Sequence, residues 1–280
     1  MKKPLRANIV IKTVVTAIFI VISFFVLYPI VYVVSAAFSP GTGIASVNII
    51  PFADGFTAKH FVSLFTGSNY GRWFLNTLLV ATGTSAATVV VASLGAYVFS
   101  RFRFALKKPM LMSYLILQIF PSFVGMVAIY VILLRIKGLD TLWGLVLVYV
   151  AGNIPYNTWL VKNYMDTVSK NLDEAARIDG AGHFRIFATI ILPVARPIIT
   201  FLAIASFTAP WMDYIFPKMV LRSVEKQTLA LGLFSFVTDK KNEFTTFAAG
   251  SLLVAIPFIV FFILTQKTMV TSFGGAAVKE

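Results

Sequence analysis

The chain has 280 residues, of which 58% are hydrophobic and only 12% charged. Soluble globular domains carry about twice that share of charge, so the composition is that of a membrane protein. The net charge of +13 does not make a nucleic-acid surface, because Lys and Arg flank apolar runs and form no patch interleaved with aromatics. The lack of cysteine removes disulfides and thiolate metal sites.

Apolar runs of about 20 residues match the thickness of the hydrocarbon core, and in lipid such runs must be helical. Six membrane helices are predicted, at roughly 13–38, 75–100, 110–134, 141–164, 189–212 and 245–266. The first could be mistaken for a cleaved leader, but its apolar part is too long for a signal h-region. The expected fold is therefore an all-α polytopic membrane protein in the cell membrane, with the lipid bilayer as its first partner.

An even number of spans places both termini on one side. With the N-terminus inside, the inner segments carry Lys2, Lys3, Arg6, Lys12, Arg101, Arg103, Lys107, Lys108, Lys162, Lys170, Arg177, Arg185, Lys267 and Lys279. The outer loops carry fewer basic residues, partly offset by Asp54, Asp140, Asp213, Glu225, Asp239 and Glu243. The positive-inside rule then puts both termini in the cytoplasm. Pro29, Pro121, Pro155, Pro197, Pro210 and Pro257 fall inside the predicted spans, where each removes a backbone donor and tends to kink its helix. Packing geometry and hinging are both open readings of them.

Between the fourth and fifth spans lies a polar, glycine-hinged insert, "NLDEAARIDGAGHFRIFATIILP", from Asn171 to Pro193. It reads as two short helices. Asn171 is expected to cap the first, with Glu174 reaching back as in a capping box, and Gly180 to end it in the left-handed region. Alanines on one face permit close approach of a partner, and Glu174 offers a charge for pairing. A hairpin lying on the inner leaflet is the alternative, although an anionic leaflet favours a basic helix and this one is nearly neutral.

The insert resembles the loop signature of integral membrane subunits of ABC importers, in the EAA-x2-DGA-x8-I-x-LP form of carbohydrate systems. Glu174-Ala175-Ala176, Asp179-Gly180-Ala181, Ile190 and Leu192-Pro193 all fall in register. "RWFLNTLLVA", "AYVFSRFRF" and "LDTLWGLVLVY" look like the same family, and the tail "TSFGGAAVKE" is similar to that of the second permease subunit of maltose/maltodextrin transporters. The resemblance implies a type-1 ABC importer transmembrane domain. Its organisation would be an N-terminal helix and first extracellular loop (1–70), a core (71–267) with a cytoplasmic coupling loop (166–189), and a cytoplasmic tail (268–280). It further implies that Glu174, Ala175, Ala176, Asp179, Gly180 and Ala181 seat on an ATPase subunit. The implied partners are a second permease subunit, two ATP-binding cassette ATPases, an extracellular solute-binding protein and a carbohydrate substrate.

No phosphate-binding loop of the Walker type occurs, so ATP and magnesium are expected on the partner ATPases and no cofactor on this chain. His60 and His183 are expected on opposite sides of the membrane, which leaves no metal site and no catalytic pair; the chain is read as a non-catalytic subunit. Ion-coupled carriers usually place ionisable groups within the membrane, and the predicted spans hold almost none, Arg196 near a helix end being the exception. The rival reading is an ion-coupled secondary carrier or channel for a small polar solute. Polar or aromatic side chains within or at the ends of spans nominate a solute path: Gln118, Asn153, Asn157, Trp211 and Asp213. The alternative for each is helix–helix adhesion or interfacial anchoring.

Overall fold

A computed structural model describes residues 4–119, 122–238 and 242–274, with side chains at 11–119, 124–238 and 242–266. No strand occurs among them. The helices are α1 Pro4–Phe38, α2 Lys59–Gly67, α3 Tyr70–Arg101, α4 Lys107–Leu117, α5 Ser122–Arg135, α6 Leu142–Asp166, α7 Asn171–Ile178 and α8 His183–Ile186. A π-helical turn, Phe187–Ile191, leads through α9 Leu192–Val194 to α10 Arg196–Met212. Then follow α11 Ile215–Val220, α12 Leu229–Thr238 and α13 Phe244–Gly274.

Two predicted spans differ from expectation. The third is not one helix: α4 ends at Leu117 and α5 starts at Ser122. Pro121 in the intervening sequence offers no N–H and disfavours helical geometry in the residue before it. The fifth starts earlier and bends by 81° between His183–Val194 and Arg196–Met212, where Pro193 and Pro197 remove two donors. By length and hydropathy, Ile11–Phe38, Tyr70–Arg101 and Phe244–Gln266 can cross a membrane, and the bent pair makes a fourth. At 25 residues α6 is long enough, but Asn153, Asn157, Lys162 and Asp166 dilute its hydropathy. The first part of the predicted C-terminal tail, 268–274, continues α13, and 275–280 lie outside the described residues.

The chain divides into two compact units. The first joins Met1–Ser68 to Leu233–Ala255. Its core is small: Ala36 and Ala37 of α1 meet Ala248 and Ala249 of α13, with Phe38, Phe61 and Phe244 around them. Small residues let these backbones approach closely, the usual basis of helix adhesion in lipid. Beneath lies buried His60, whose Nε2 is 3.0 Å from the Ser39 carbonyl while Nδ1 lies 3.3 Å from the hydroxyls of Thr245 and Thr246. That set favours Nε2–H donating and Nδ1 accepting. Burial lowers the His60 pKa, with Lys59 acting in the same direction and the bond to Ser39 opposing it.

The second unit joins Asn69–Gly232 to Ile256–Glu280, and α3 is its axis. Thr77, Ala81, Thr84, Ser85, Thr88, Ala92 and Ala96 are all buried and recur at the three- and four-residue spacing of one helix face. This small-residue seam lets α3 pack against α6 and α10. A Cβ on Gly95 would stand 3.2 Å from Thr158 of α6, and Ser85 donates to the Ala203 carbonyl of α10 at 2.9 Å.

At the far end of α6, Thr141 accepts from the Gly144 amide at 3.1 Å as a side-chain cap. There, Asp140 clamps the loop after α11. It accepts from the Arg222 and Ser223 amides at 2.9 and 3.0 Å, from the Ser223 hydroxyl, and from Lys226 at 3.2 Å. Burial works to raise its pKa, but the Ser223, Arg222 and Lys226 donors outweigh it and hold the carboxyl below the usual range.

Candidate functional site

The insert forms a short knuckle whose main helix, α7, is eight residues long. Its start differs from expectation. Lys170, not Asn171, occupies the cap position and bonds no amide through its side chain. Asn171 begins the helix and donates its amide to the Ser169 hydroxyl at 3.3 Å. Asp173 and Glu174 lie in the first turn, where carboxylates suit the positive end of the helix dipole.

The end of α7 matches the sequence expectation. Gly180 has φ +80°, a region that costs most residues a clash of Cβ with backbone. Its amide donates to the Arg177 carbonyl at 3.0 Å, and the Ala181 amide donates to the Ala176 carbonyl at 2.9 Å. These two bonds are a Schellman closure, and Ala181 packs beside Ala176 as that motif's apolar contact.

Asp173 and Ala176, three residues apart, are the buried side chains of α7. Ala176 enters a core with Ala96 and Tyr97 of α3, Met165 of α6, and Ile186 and Phe187 beyond the turn. Asp173 meets Arg101, the last residue of α3, with Oδ2 and Nε 2.7 Å apart and side chains only 5% and 2% exposed. The N–H does not lie along that vector, so the contact is ionic rather than a linear hydrogen bond. The Arg101 fork also donates to the carbonyls of Met165 at 2.9 Å and Val168 at 3.1 Å. Ser100 donates to Asp166 at 2.7 Å, and Asp166 pairs with Lys162 at 2.6 Å. One polar chain therefore ties α7 to the ends of α3 and α6. Arg101 adds donors to carbonyls at and just beyond the end of α6, where a cation is favoured by the helix dipole.

The opposite face of α7 is bare. Glu174, Ala175, Asp179 and Gly180 are exposed, as is Leu172. Ile178 is 87% exposed and Phe184 76%. The predicted coupling residues thus share one surface with three apolar side chains, apart from Ala176, which faces inward, and Ala181, which is half-buried. From sequence, Arg101 enters only among the charges that orient the spans, and Asp173 has no role assigned. An acidic residue directly before the Glu-Ala-Ala triplet, and an arginine closing an apolar span, were the available signals.

The residues nominated for a solute path do not converge on one opening. Asn157 is buried and donates to the Asn153 carbonyl one turn back at 2.8 Å, while Asn153 is half-buried. Gln118 is exposed at the end of α4. Trp211 is enclosed by Phe74, Phe207 and Phe258, with ring centres 5.3–6.1 Å away. Asp213 accepts from Tyr149 at 2.8 Å and from the Ile215 and Phe216 amides at 2.9 and 3.2 Å. It fastens α6 to the start of α11.

The model of the family described as "Binding-protein-dependent transport system inner membrane component" matches residues 88–267. The maltodextrin transport system permease protein MdxG of Bacillus subtilis (strain 168) is 40% identical over 259 residues, covering 92% of each chain. The galactooligosaccharides transport system permease protein GanQ of the same organism is 38% identical, covering 91% of this chain and 90% of its own. The fold is that of a chain in a bacterial ABC transporter involved in import of the acidic polysaccharide alginate, with TM-score 0.78 and 21% identity over 95% of this chain and 98% of that one. With a family model covering more than half its length and relatives this similar from end to end, the chain belongs to the binding-protein-dependent transport system inner membrane components, the permease subunits of ABC transporters.

Proposed function

We propose that this chain is a permease subunit of an ATP-driven oligosaccharide importer, with both termini cytoplasmic and six membrane crossings. In this count the broken α4–α5 pair, α6 and the bent α10 each provide one crossing. A neutral glucose oligomer of the maltodextrin kind is the substrate favoured by the identity to MdxG. A solute-binding protein delivers the sugar, a second permease completes the pathway, and two ATPases bind and hydrolyse ATP with magnesium. This chain holds no cofactor and performs no catalysis of its own.

The observation that carries the reading is the knuckle at Asn171–Ile191. Its inner face is fixed to α3 and α6 by buried charge, while its outer face leaves Ile178 and Phe184 open to solvent. Exposed apolar side chains of this size on a short rigid helix fit a groove in a partner. Glu174 stands ready for a basic group of the ATPase, Ala175 permits close approach, and Gly180 shapes the turn. Asp179 caps the exposed end of α7, and Ala176 and Ala181 hold the knuckle's inner packing. Gln118 and Asn153 are the polar side chains we assign to sugar hydroxyls. Asn157, Trp211 and Asp213 frame that path through the contacts they already make.

Vesicle uptake tests the proposal. Complexes of the full chain with its partner subunits should accumulate labelled maltooligosaccharide only with binding protein outside and ATP inside. Uptake driven by an ion gradient without ATP would instead establish the secondary carrier.

A further inference from the structure

The first unit carries a loop whose surface chemistry the transport reading does not use. It runs from Val47 to Phe56, between α1 and α2. Rather than projecting beyond the end of α1, it folds back along that helix. The Phe52 amide donates to the Ser35 hydroxyl at 2.6 Å, and the Tyr28 hydroxyl donates to the Ile49 carbonyl at 2.7 Å. Tyr28 lies ten residues before the end of α1 at Phe38, a retreat of about 15 Å along the axis at 1.5 Å per residue.

This position can be set against the bilayer. Lys12 marks the charged end of the apolar run, and Ile11–Phe38 is long and apolar enough to cross. Counting about 20 residues from Lys12 for a hydrocarbon core of about 30 Å places the far boundary near Tyr32. A tilted helix would move that boundary closer to Phe38. Either way the loop's two ties, at residues 28 and 35, flank or lie inside the boundary. Tyr28 and Tyr32 are the residue type that collects there.

The side chains agree with the level. Ile49 is 76% exposed, Ile50 68% and Phe56 70%, and Phe52 is also exposed. On α1, Phe24, Phe25 and Leu27 are exposed too, and the Phe56 ring stacks on Phe38 at the end of that helix with centres 4.4 Å apart. The backbone agrees as well, since irregular chain at such depth must satisfy its own polar groups. The Asn48 amide donates to Asp54 at 2.7 Å and the Ile50 amide to Asn48 Oδ1 at 3.0 Å. The amides of Ala53, Gly55 and Thr57 donate to Ile50, Phe52 and Phe38 carbonyls. Phe52 sits at φ +63°, a costly conformation for an aromatic residue. Its amide bond to Ser35 helps hold it there.

We infer that Val47–Phe56 is an interfacial membrane anchor, with Ile49, Ile50, Phe52 and Phe56 inserted into the acyl boundary of the leaflet at the far end of α1 from Lys12. Four such side chains entering lipid fasten the outer end of this unit to the membrane. The inference requires only that α1 crosses the bilayer, and it stands or falls apart from the transport reading.

The native chain has no cysteine, so single spin labels can be placed without background. Ile50→Cys and Phe56→Cys, each labelled in the full chain co-purified with its partner subunits in phospholipid nanodiscs, should collide with oxygen in preference to a water-soluble nickel chelate. Their oxygen-to-nickel ratio should be several-fold above that of a label at Glu225→Cys, on an exposed polar loop. A ratio equal to that of the Glu225 label would mean the loop is in water. Protection from both reagents would mean that a protein partner covers it. Either result overturns the anchor.

Discussion

Arg101 and Asp173 make the sharpest prediction, because the sign of their coupling can be worked out. Arg101→Met leaves the Asp173 carboxylate in a site where its side chain is only 5% exposed. Stranding one member of a buried ion pair costs about 3–5 kcal/mol. At about 1.4 kcal/mol per factor of ten, that is a loss of roughly two to three and a half orders of magnitude in the stability of the local seat. The cost falls on the hold of α7 against α3 and α6. Amide hydrogen exchange by mass spectrometry, read on the Asn171–Ile186 peptide, should therefore accelerate by roughly a hundredfold or more, while peptides from α2 stay unchanged. Adding Asp173→Asn to Arg101→Met removes the stranded charge, so the double variant should be better protected than Arg101→Met alone. Asp173→Asn alone should be the mildest of the three, since Arg101 keeps its bonds to the Met165 and Val168 carbonyls. Additive losses, or an Arg101→Met peptide as protected as the native one, would refute the reasoning.

Further expectations follow from the same geometry. Gly180→Pro forces φ from +80° to about −65° and should reshape the turn without blocking membrane insertion; on the proposed reading, ATPase activity of the reconstituted complex continues while uptake per ATP collapses. His60 is neutral in its buried site and its pKa is lowered by burial, so the unfolded chain binds more protons as pH falls below about 6.5. Stability of the first unit should be full above that pH and decline below it, read as faster proteolysis within Ser39–Gly67 at pH 5.5 than at 7.5, and His60→Asn should flatten the difference.

Much of this was legible from sequence because lipid narrows the choices. An apolar run in a membrane has to be a helix, and so α6 lies within two residues of its predicted bounds, while α1, α3 and α13 contain their predicted spans and run past them into polar sequence. Gly180 was legible too, since a short helix followed by Asp-Gly-Ala has few ways to close. The breaks were not. A proline within an apolar run is compatible with a mild kink, a gap such as that between α4 and α5, or an 81° elbow, and the neighbouring packing decides among them. The cap of α7 was not legible either, because Ser169, before Lys170, takes the Asn171 amide. The Arg101–Asp173 pair was hidden for a different reason. Its partners are 72 positions apart, and nothing local distinguishes a buried charge from one that merely orients a span.

How a displacement of α7 would reach the membrane helices follows from what cannot yield. The buried pair fixes α7 to the end of α3, and the packing of Ala176 and Ala181 on Ile186 and Phe187 fixes it to the segment entering α10. The yielding point is then the elbow at Ala195. Pro197 has no N–H to donate to the Pro193 carbonyl, so one helical bond is missing across the bend, and the helical ladder resumes with the Ile199 amide on the Ala195 carbonyl at 3.1 Å. Pro197→Ala supplies the missing donor and removes the ring's restriction on Arg196, which favours a straighter, stiffer junction. One regained backbone hydrogen bond is worth about 0.5–1.5 kcal/mol, enough to bias a hinge without unfolding it. On the proposed reading, the variant should melt no lower than the native complex and yet lose several-fold in uptake per ATP hydrolysed. Full coupling in a variant shown by paired spin labels on α8 and α10 to have straightened would mean that the elbow is only a fixed bend, and that motion of the knuckle travels through α3.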